Sequence, residues 1–319
     1  MNIPKYKQLD YLYLMNSKTN LEGKLFLLEQ ILNKSDEILE SKKDNYDVRK
    51  IHFLQLDIIA KLCFVIEDFL YLHYLIRKDT KKIYKKIVHN RTKWANNEAN
   101  YIKNNLKITD IKKIYCYPEI SKTKLKELEK RLLKKVIKSE IYFHRANLKE
   151  IASFWSKHRE IYNIFKHGCS IVTGMFDTGD LNKPSHFYAR GRKSNRIKTY
   201  MVECSDRLFN DYDNIRIKIH AEYNSIAFNN ETRILNKEKT FIPDFFLIKG
   251  LAEEEKIMGI VREVNKKIVA PSEIKISLEI KENSLKKFKG NSDFYIIPIN
   301  KDIMFSYKGK VESKRIKKG

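Results

Sequence analysis

Three polar side chains that suit phosphate chemistry recur at helical spacing near the middle of the chain. Arg159, Asn163 and His167 are spaced i, i+4 and i+8, so a helix would place them on one face within an arc of roughly 80°. Lys166 lies beside them. A cation, an amide and a titratable ring can together hold a phosphate and move a proton. The alternative is the solvated polar face of an ordinary amphipathic helix.

The helix that must position these residues is predicted over 148–167. Its apolar side chains fall on the opposite side of the helical wheel from Arg159. Gly168 follows at once, and glycine is the usual left-handed stop after a helix. His167 is then at the helix C-terminus, where the macrodipole favours a protonated imidazole. The apolar set is Phe154, Ile161, Ile164 and Phe165.

Two carboxylates in an earlier helix offer a counter-charge for this polar face. The stretch 48–78 is hydrophobic almost all round, which predicts a long central helix. Glu67 and Asp68 lie deep within it, and a buried carboxylate needs a partner because an unpaired buried charge is costly. We therefore expect a cation of helix 148–167 to meet one of them. Local pairing with Lys61 or with water is the alternative.

A second pattern that could carry chemistry lies in the last third of the chain. Pro243-Asp244 falls on one predicted strand and Glu279-Ile-Lys281 on another, which is similar to the Pro-Asp…Glu-x-Lys core of metal-dependent nucleases. In such a site Asp244 and Glu279 would hold Mg²⁺, and Lys281 would steady the nucleophile. These short motifs also arise by chance in a chain rich in Lys and Glu, so this is the alternative site.

Apolar periodicity predicts three further helices before Gly168, over 21–42, 80–105 and 121–143, with a break at 144–147. The outer face of the third is a ladder of basic residues. Such a ladder is either a solvated face or a track for nucleic acid. Its members are Lys124, Lys126, Lys130, Arg131, Lys134 and Lys135.

After Gly168 the pattern changes to short β-rich runs separated by Gly and Pro turn signals, with one helix over 251–268. The sequence therefore predicts an α+β fold. A helical domain over 1–168 is followed by a mainly antiparallel β-rich half over 169–319, which ends in a basic tail. Strands are predicted at 185–189, 199–203, 215–228, 240–248, 274–280, 294–299 and 303–307.

The charge balance favours an anionic partner. Lys and Arg number 64 against 40 acids, a formal net charge of +24. Nucleic acid is the first candidate and an anionic membrane surface the second, while dispersed, solvated Lys is the neutral interpretation. The four cysteines form no CxxC pair, which argues against a disulfide or zinc framework and favours a reducing cytoplasm. No signal core or membrane-spanning run is visible, so we expect a cytoplasmic protein without membrane association.

A helical half that ends in Tyr162-Asn163-Ile-Phe-Lys-His167-Gly168 resembles the HEPN superfamily of bacterial defence and RNA-processing proteins. The resemblance covers roughly residues 20–170 and includes Glu67-Asp68 on an earlier helix. It implies RNA cleavage without metal or other cofactor, with the motifs of two protomers meeting in one cleft. In that scheme Arg159, Asn163 and His167 are catalytic, Lys166 binds phosphate, and the two carboxylates support them.

Three functions follow as competing hypotheses. The leading one is a metal-independent endoribonuclease, in antiphage defence or as a toxin, whose β-rich half selects the target or regulates cleavage. It would act on RNA as a homodimer, because the attacking nucleophile is the ribose 2′-hydroxyl. The second is a non-catalytic HEPN-like protein that binds nucleic acid, DNA included, or a protein partner. The third is the Mg²⁺-dependent nuclease.

Overall fold

A computed structural model describes most of the first half of the chain and separate segments of the second. The described residues are 5–40, 45–78, 91–166, 172–176, 185–193, 196–204, 207–236, 253–264, 276–280, 286–287, 295–296, 303–307 and 312–315. Asp244, Lys281 and His167, which the sequence singles out, lie outside these ranges. The same holds for the predicted strand at 240–248.

The described helices form one packed body. They are α1 Lys5–Glu40, α2 Asn45–Arg77, α3 Arg91–Asn105, α4 Ile108–Ile114, α5 Glu127–Lys166, α6 Arg207–Asn236 and α7 Glu254–Val264, with a short 3₁₀ turn at Ile120–Lys122. Helix α2 is at the centre and packs against α1, α3, α5 and α6. Its Ile58, Leu62 and Ile66 are fully buried. None of the described helices combines the length and the apolar character that crossing a bilayer requires.

The strands form three small groups. A three-stranded antiparallel meander contains β1 Val172–Phe176, β2 Ser185–Lys193 and β3 Arg196–Cys204. A second group places β4 Ile276–Ile280 between antiparallel β7 Ile303–Tyr307 and parallel β8 Glu312–Arg315. The third is the antiparallel pair of β5 Lys286–Lys287 and β6 Tyr295–Ile296.

The predicted fold class, with a mainly β second half, is wrong. Of the residues whose side chains the structure describes, 92% are helical and none lies in a strand. The decisive error is the strand predicted over 215–228, which is the middle of the 30-residue helix α6. Helix α6 packs against α1, α2 and α5, so the second half contributes a long helix to the same hydrophobic core.

The error in α6 has a clear physical cause. Ile215, Ile217 and Ile219 alternate with polar residues, which is typical of a strand. A longer window shows that apolar residues recur every three or four positions, the helical period. The helix buries Ile215 and Ile219 and leaves Ile217 50% exposed. The buried apolar series is Phe209, Tyr212, Ile215, Ile219, Tyr223 and Ile226.

The break predicted at 144–147 is also wrong, because α5 continues through it as a single 40-residue helix. Two of the polar residues that suggested a break, His144 and Asn147, are buried and contact α6. His144 Nδ1 lies 2.8 Å from Glu222 Oε2, and Asn147 Nδ2 donates to Glu222 Oε1 over 2.6 Å. Asn147 is therefore a partner for a buried carboxylate and not a helix cap.

Candidate nucleic-acid interface

The continuity of α5 aligns a series of cations along one side of the helix. From Arg131 to Lys149 they follow at steps of three, four or seven residues, with Lys134 and Lys135 adjacent. This spacing keeps them within an arc of about 100° over about 27 Å of helix. No carboxylate falls within this arc between those two residues. We call this set the basic stripe; it consists of Arg131, Lys134, Lys135, Lys138, Arg145 and Lys149.

The basic stripe is open to solvent, and Glu127 and Glu253 lie near its N-terminal end. All of its members are exposed except Arg145, which is half-buried. None of them forms an ion pair with another residue that the structure describes. Glu127, whose charge acts on Arg131 and Lys134, pairs instead with the neighbouring Lys130 at 3.0 Å. On an ordinary solvated helix face, cations commonly form ion pairs with acidic residues three or four positions away. The stripe therefore presents an excess of positive charge to a partner.

A groove between α4 and α5 lies beside the basic stripe. It encloses about 280 Å³. Its floor is apolar, and Ile108 and Tyr142 remain 44% and 55% exposed at its edge. Tyr142 is one helical turn beyond Lys138, so the ring lies among the cations. We call this the α4–α5 groove; its lining is Ile108, Lys112, Ile120, Lys134, Ile137, Lys138, Ile141 and Tyr142.

The same side of α5 leads to the predicted catalytic residues. Further steps of three and four residues along this side of α5 lead from Lys149 to Asn163, which lies near the helix end and about 21 Å further along. Arg159 and Asn163 are half-buried, and neither makes a hydrogen bond or ion pair with a described residue. The predicted trio is therefore seen only in part, since its histidine lies outside the described ranges.

Glu67 contacts the end of α5, as the sequence predicts. Its carboxylate, on α2, accepts a hydrogen bond from the Tyr162 hydroxyl at 2.9 Å, and Lys166 Nζ lies 3.1 Å from the same Oε2 atom. Burial and the adjacent Glu67 carboxylate raise the pKa of Tyr162, so its proton stays in place. The Lys166 side chain remains 40% exposed. This contact anchors the last turn of α5 while leaving the ammonium accessible.

Asp68 does not join this cluster. Its Oδ2 atom receives a hydrogen bond from Lys24 Nζ on α1 over 2.6 Å. The side chain lines a separate cavity of about 180 Å³, next to Tyr13, Tyr71 and Tyr223. Neighbouring residues on a helix point about 100° apart, which sends Asp68 to the α1 side and Glu67 to the α5 side.

The alternative metal site receives no support from the described residues. Glu279 lies in β4, opposite Met304 of β7 and Lys314 of β8, and its two companions fall outside the described ranges. Among the described side chains no group of three or more metal-binding types comes together. Cys63 and Cys116 are buried thiols outside any disulfide.

A buried carboxylate with three hydrogen-bond partners, Glu222 of α6, was not predicted. It is 0% exposed, and Tyr115, His144 and Asn147 all hydrogen-bond to it. The Tyr115 ring stacks on His144 with centroids 3.9 Å apart, and burial, followed by the Glu222 charge, raises its pKa. The cluster is sealed from solvent, so we assign it a structural role that joins α6 to α5.

A different buried carboxylate, Glu231, leads to a prediction about pH. Burial first, and Glu22 second, raise its pKa from 4.5 to about 7 against the opposing effect of Lys18. As pH rises from about 4.5 to about 7 the unfolded chain releases this proton first, so the folded state loses stability across that window, by roughly 3 kcal/mol in total. We expect Glu231→Gln to remove this loss. Urea unfolding of both proteins at pH 5 and pH 8 measures it.

Comparing Glu231→Gln with the parent at the two pH values tests the direction of this pH dependence. Gln should exceed the parent in unfolding free energy by more at pH 8 than at pH 5, because most of the loss in the parent, which comes from burying an ionised Glu231, develops between these two pH values. Glu150→Gln, at an exposed position, is the matched control and should show no such trend. A difference between Glu231→Gln and the parent that does not change with pH contradicts the prediction.

Comparison of the whole chain with family models, with curated proteins and with solved structures finds no match. The features of the chain that indicate a function are therefore the basic stripe, the α4–α5 groove and the end of α5.

Proposed function

We propose that this protein binds RNA along the basic stripe of α5. One observation carries the proposal: an exposed row of cations, none of them in an ion pair with a described residue, runs along a single continuous helix of a chain whose net charge is +24. Phosphate contacts supply most of the affinity of nucleic-acid-binding proteins, and lysine and arginine make them. A cation at nearly every turn, about 5.4 Å apart, suits an extended polyanion better than an isolated small anion.

Replacing four cations of the basic stripe with glutamine tests the proposal. We expect the parent to lose RNA affinity steeply between about 50 and 200 mM salt, because binding releases counterions. In the variant the slope of log affinity against log salt should become shallower by about 3, because each cation that neutralises a phosphate of a single strand adds about 0.7 to that slope. Fluorescence anisotropy with a labelled RNA measures both. The substituted residues are Arg131, Lys134, Lys135 and Lys138.

A control variant with the same net charge separates the basic stripe from a general charge effect. It replaces four exposed lysines elsewhere in the helical body, none of them in an ion pair with a described residue. Both variants lose the same net charge. A loss of RNA affinity that is confined to the first variant therefore supports the basic stripe as the binding surface. Equal losses in both variants, or no binding by the parent at low salt, contradict the proposal. The control positions are Lys34, Lys78, Lys93 and Lys103.

A second proposal is that the protein cleaves the RNA it binds, without metal, at the end of α5. The contact of Lys166 with Glu67 favours it, because it fixes a cation and the helix terminus one residue before His167. In this reaction the 2′-oxygen attacks phosphorus and the 5′-oxygen leaves. His167 would accept the 2′-hydroxyl proton or donate one to the leaving oxygen. Arg159 and Lys166 would stabilise the charge on phosphorus, and Asn163 would orient the ring or a phosphate.

The cleavage proposal includes a homodimer in which the α5 ends of two protomers share one cleft. A two-fold assembly would bring two copies of each cation to one phosphate. Sedimentation analysis across a concentration series tests the dimer independently of activity, and antiphage defence or toxicity is the cellular role proposed for such an enzyme.

A further inference from the structure

The α4–α5 groove combines two features that call for one ligand with two parts. Its apolar floor is built from isoleucines, of which Ile137 and Ile141 are buried in the core, and Tyr142 stands exposed at the edge. Three lysines, Lys112, Lys134 and Lys138, surround the floor, and all three are exposed. A fitting ligand therefore has a flat apolar part for the floor and the tyrosine ring, and negative charge for the rim.

A nucleotide has this composition. Bases stack on aromatic side chains whatever their sequence, and lysines nearby take the phosphates. The enclosed volume, about 280 Å³, is close to the lower end of the range for small-molecule sites, about 300–1,000 Å³. An acidic peptide would match the lysines but would leave the exposed tyrosine ring and isoleucine floor without a planar partner.

Only an unpaired base can enter such a groove. In a duplex the bases are stacked on one another and hydrogen-bonded, so their faces are not available to a protein side chain. We propose that the α4–α5 groove holds an unstacked base of single-stranded RNA against Tyr142, with Lys134 and Lys138 on the flanking phosphates. This inference rests on the proposed RNA binding and specifies its substrate as single-stranded.

The position of the groove supports this choice of occupant. Lys134 and Lys138 belong both to the groove rim and to the basic stripe, so a strand that follows the stripe passes the groove opening. Tyr142 lies within the arc of the stripe between Lys138 and Arg145. A base turned out of the strand at that point reaches the apolar floor while the backbone continues along α5.

Substitution of Tyr142 tests the inference. We expect Tyr142→Ala to weaken binding of an unstructured 12-nucleotide RNA by about tenfold, the effect of losing one stacked base. Tyr142→Phe should bind like the parent, because stacking needs the ring and not the hydroxyl. Binding to a blunt RNA duplex of the same length should not change. Anisotropy with both RNAs at one low salt concentration measures these effects, and circular dichroism verifies the fold of each variant.

Phe26→Ala is the matched control, since Phe26 is an aromatic residue that is similarly exposed but lies on α1. It should leave both affinities unchanged. Single-stranded binding by Tyr142→Ala equal to that of the parent overturns the inference, while the four-glutamine variant still reports separately on the stripe. An equal loss for the duplex, or a tenfold loss on an acidic peptide and none on RNA, also overturns it. A single-stranded DNA of the same sequence shows whether the ribose contributes.

Discussion

Replacement of Glu222 by leucine is expected to lower the free energy of unfolding by about 5 kcal/mol. The substitution leaves three buried donors unpaired, and each costs about 1–3 kcal/mol. The three donors are the groups of Tyr115, His144 and Asn147 that now reach this carboxylate. Because a domain is stable by only about 5–15 kcal/mol, the loss would unfold much of the population. Urea unfolding followed by circular dichroism measures it.

Two further variants separate the specific role of Glu222 from the general effect of removing a charged residue. Glu222→Gln keeps the shape and one carbonyl oxygen, so it should lose less than the leucine variant. Glu150→Ala removes a carboxylate that pairs with Lys218 across the same two helices, but at an exposed site. Exposed pairs contribute about 0–1 kcal/mol, so this control should unfold almost like the parent. A leucine variant as stable as the parent contradicts the structural role of Glu222.

Glu222 also shows why the second half could not be read correctly from local sequence. Its partners are 107, 78 and 75 residues earlier in the chain. Local patterns predict which face of an element is apolar, but they do not reveal which distant polar groups will meet inside a core. His144 and Asn147 were therefore interpreted as a helix break, although they are buried partners of a helix that had itself been interpreted as a strand.

Helices with long apolar patterns were easier to predict than their polar contacts. The predicted helix over 48–78 corresponds closely to α2, because its apolar residues leave no other arrangement. The contact between Glu67 and a cation of the later helix is confirmed by Lys166. The prediction required only one of the two carboxylates to meet that cation. The pattern did not show that Asp68 would pair with Lys24 of α1.

The sequence contains the spacing that defines the basic stripe, but the break wrongly predicted at 144–147 divides that stripe between two helices. Only three of its residues, Arg131, Lys134 and Lys135, belong to the basic ladder predicted from the sequence. Ending the helix at 143 leaves Arg145 and Lys149 outside that helix. With one helix from Glu127 to Lys166, the helical wheel joins them and extends the same side towards Asn163. The α4–α5 groove could not be found in this way, because it depends on how α4 packs against α5.

His167→Ala is expected to reduce the rate of RNA cleavage by about a hundredfold or more, because general acid–base catalysis contributes about 10²–10⁴-fold. RNA binding should remain, since the basic stripe is unchanged. Arg159→Ala should also slow cleavage, and lysine should replace it poorly if the guanidinium holds a phosphate through two parallel hydrogen bonds. Single-turnover cleavage of a labelled RNA, with enzyme in excess and with EDTA present, measures the chemical step.

The control for this prediction is His220→Ala, which removes an exposed histidine of α6 whose Nε2 atom lies 3.0 Å from Asn224 Nδ2. It should cut RNA as fast as the parent. A folded His167→Ala protein that cuts at the parental rate contradicts the assignment of His167. Cleavage that EDTA abolishes points instead to the metal-dependent alternative with Asp244, Glu279 and Lys281. If the protein binds RNA with the expected salt dependence but never cuts it, α5 is a binding surface alone. Binding requires only the row of cations, whereas cleavage also requires a proton donor at the end of the helix.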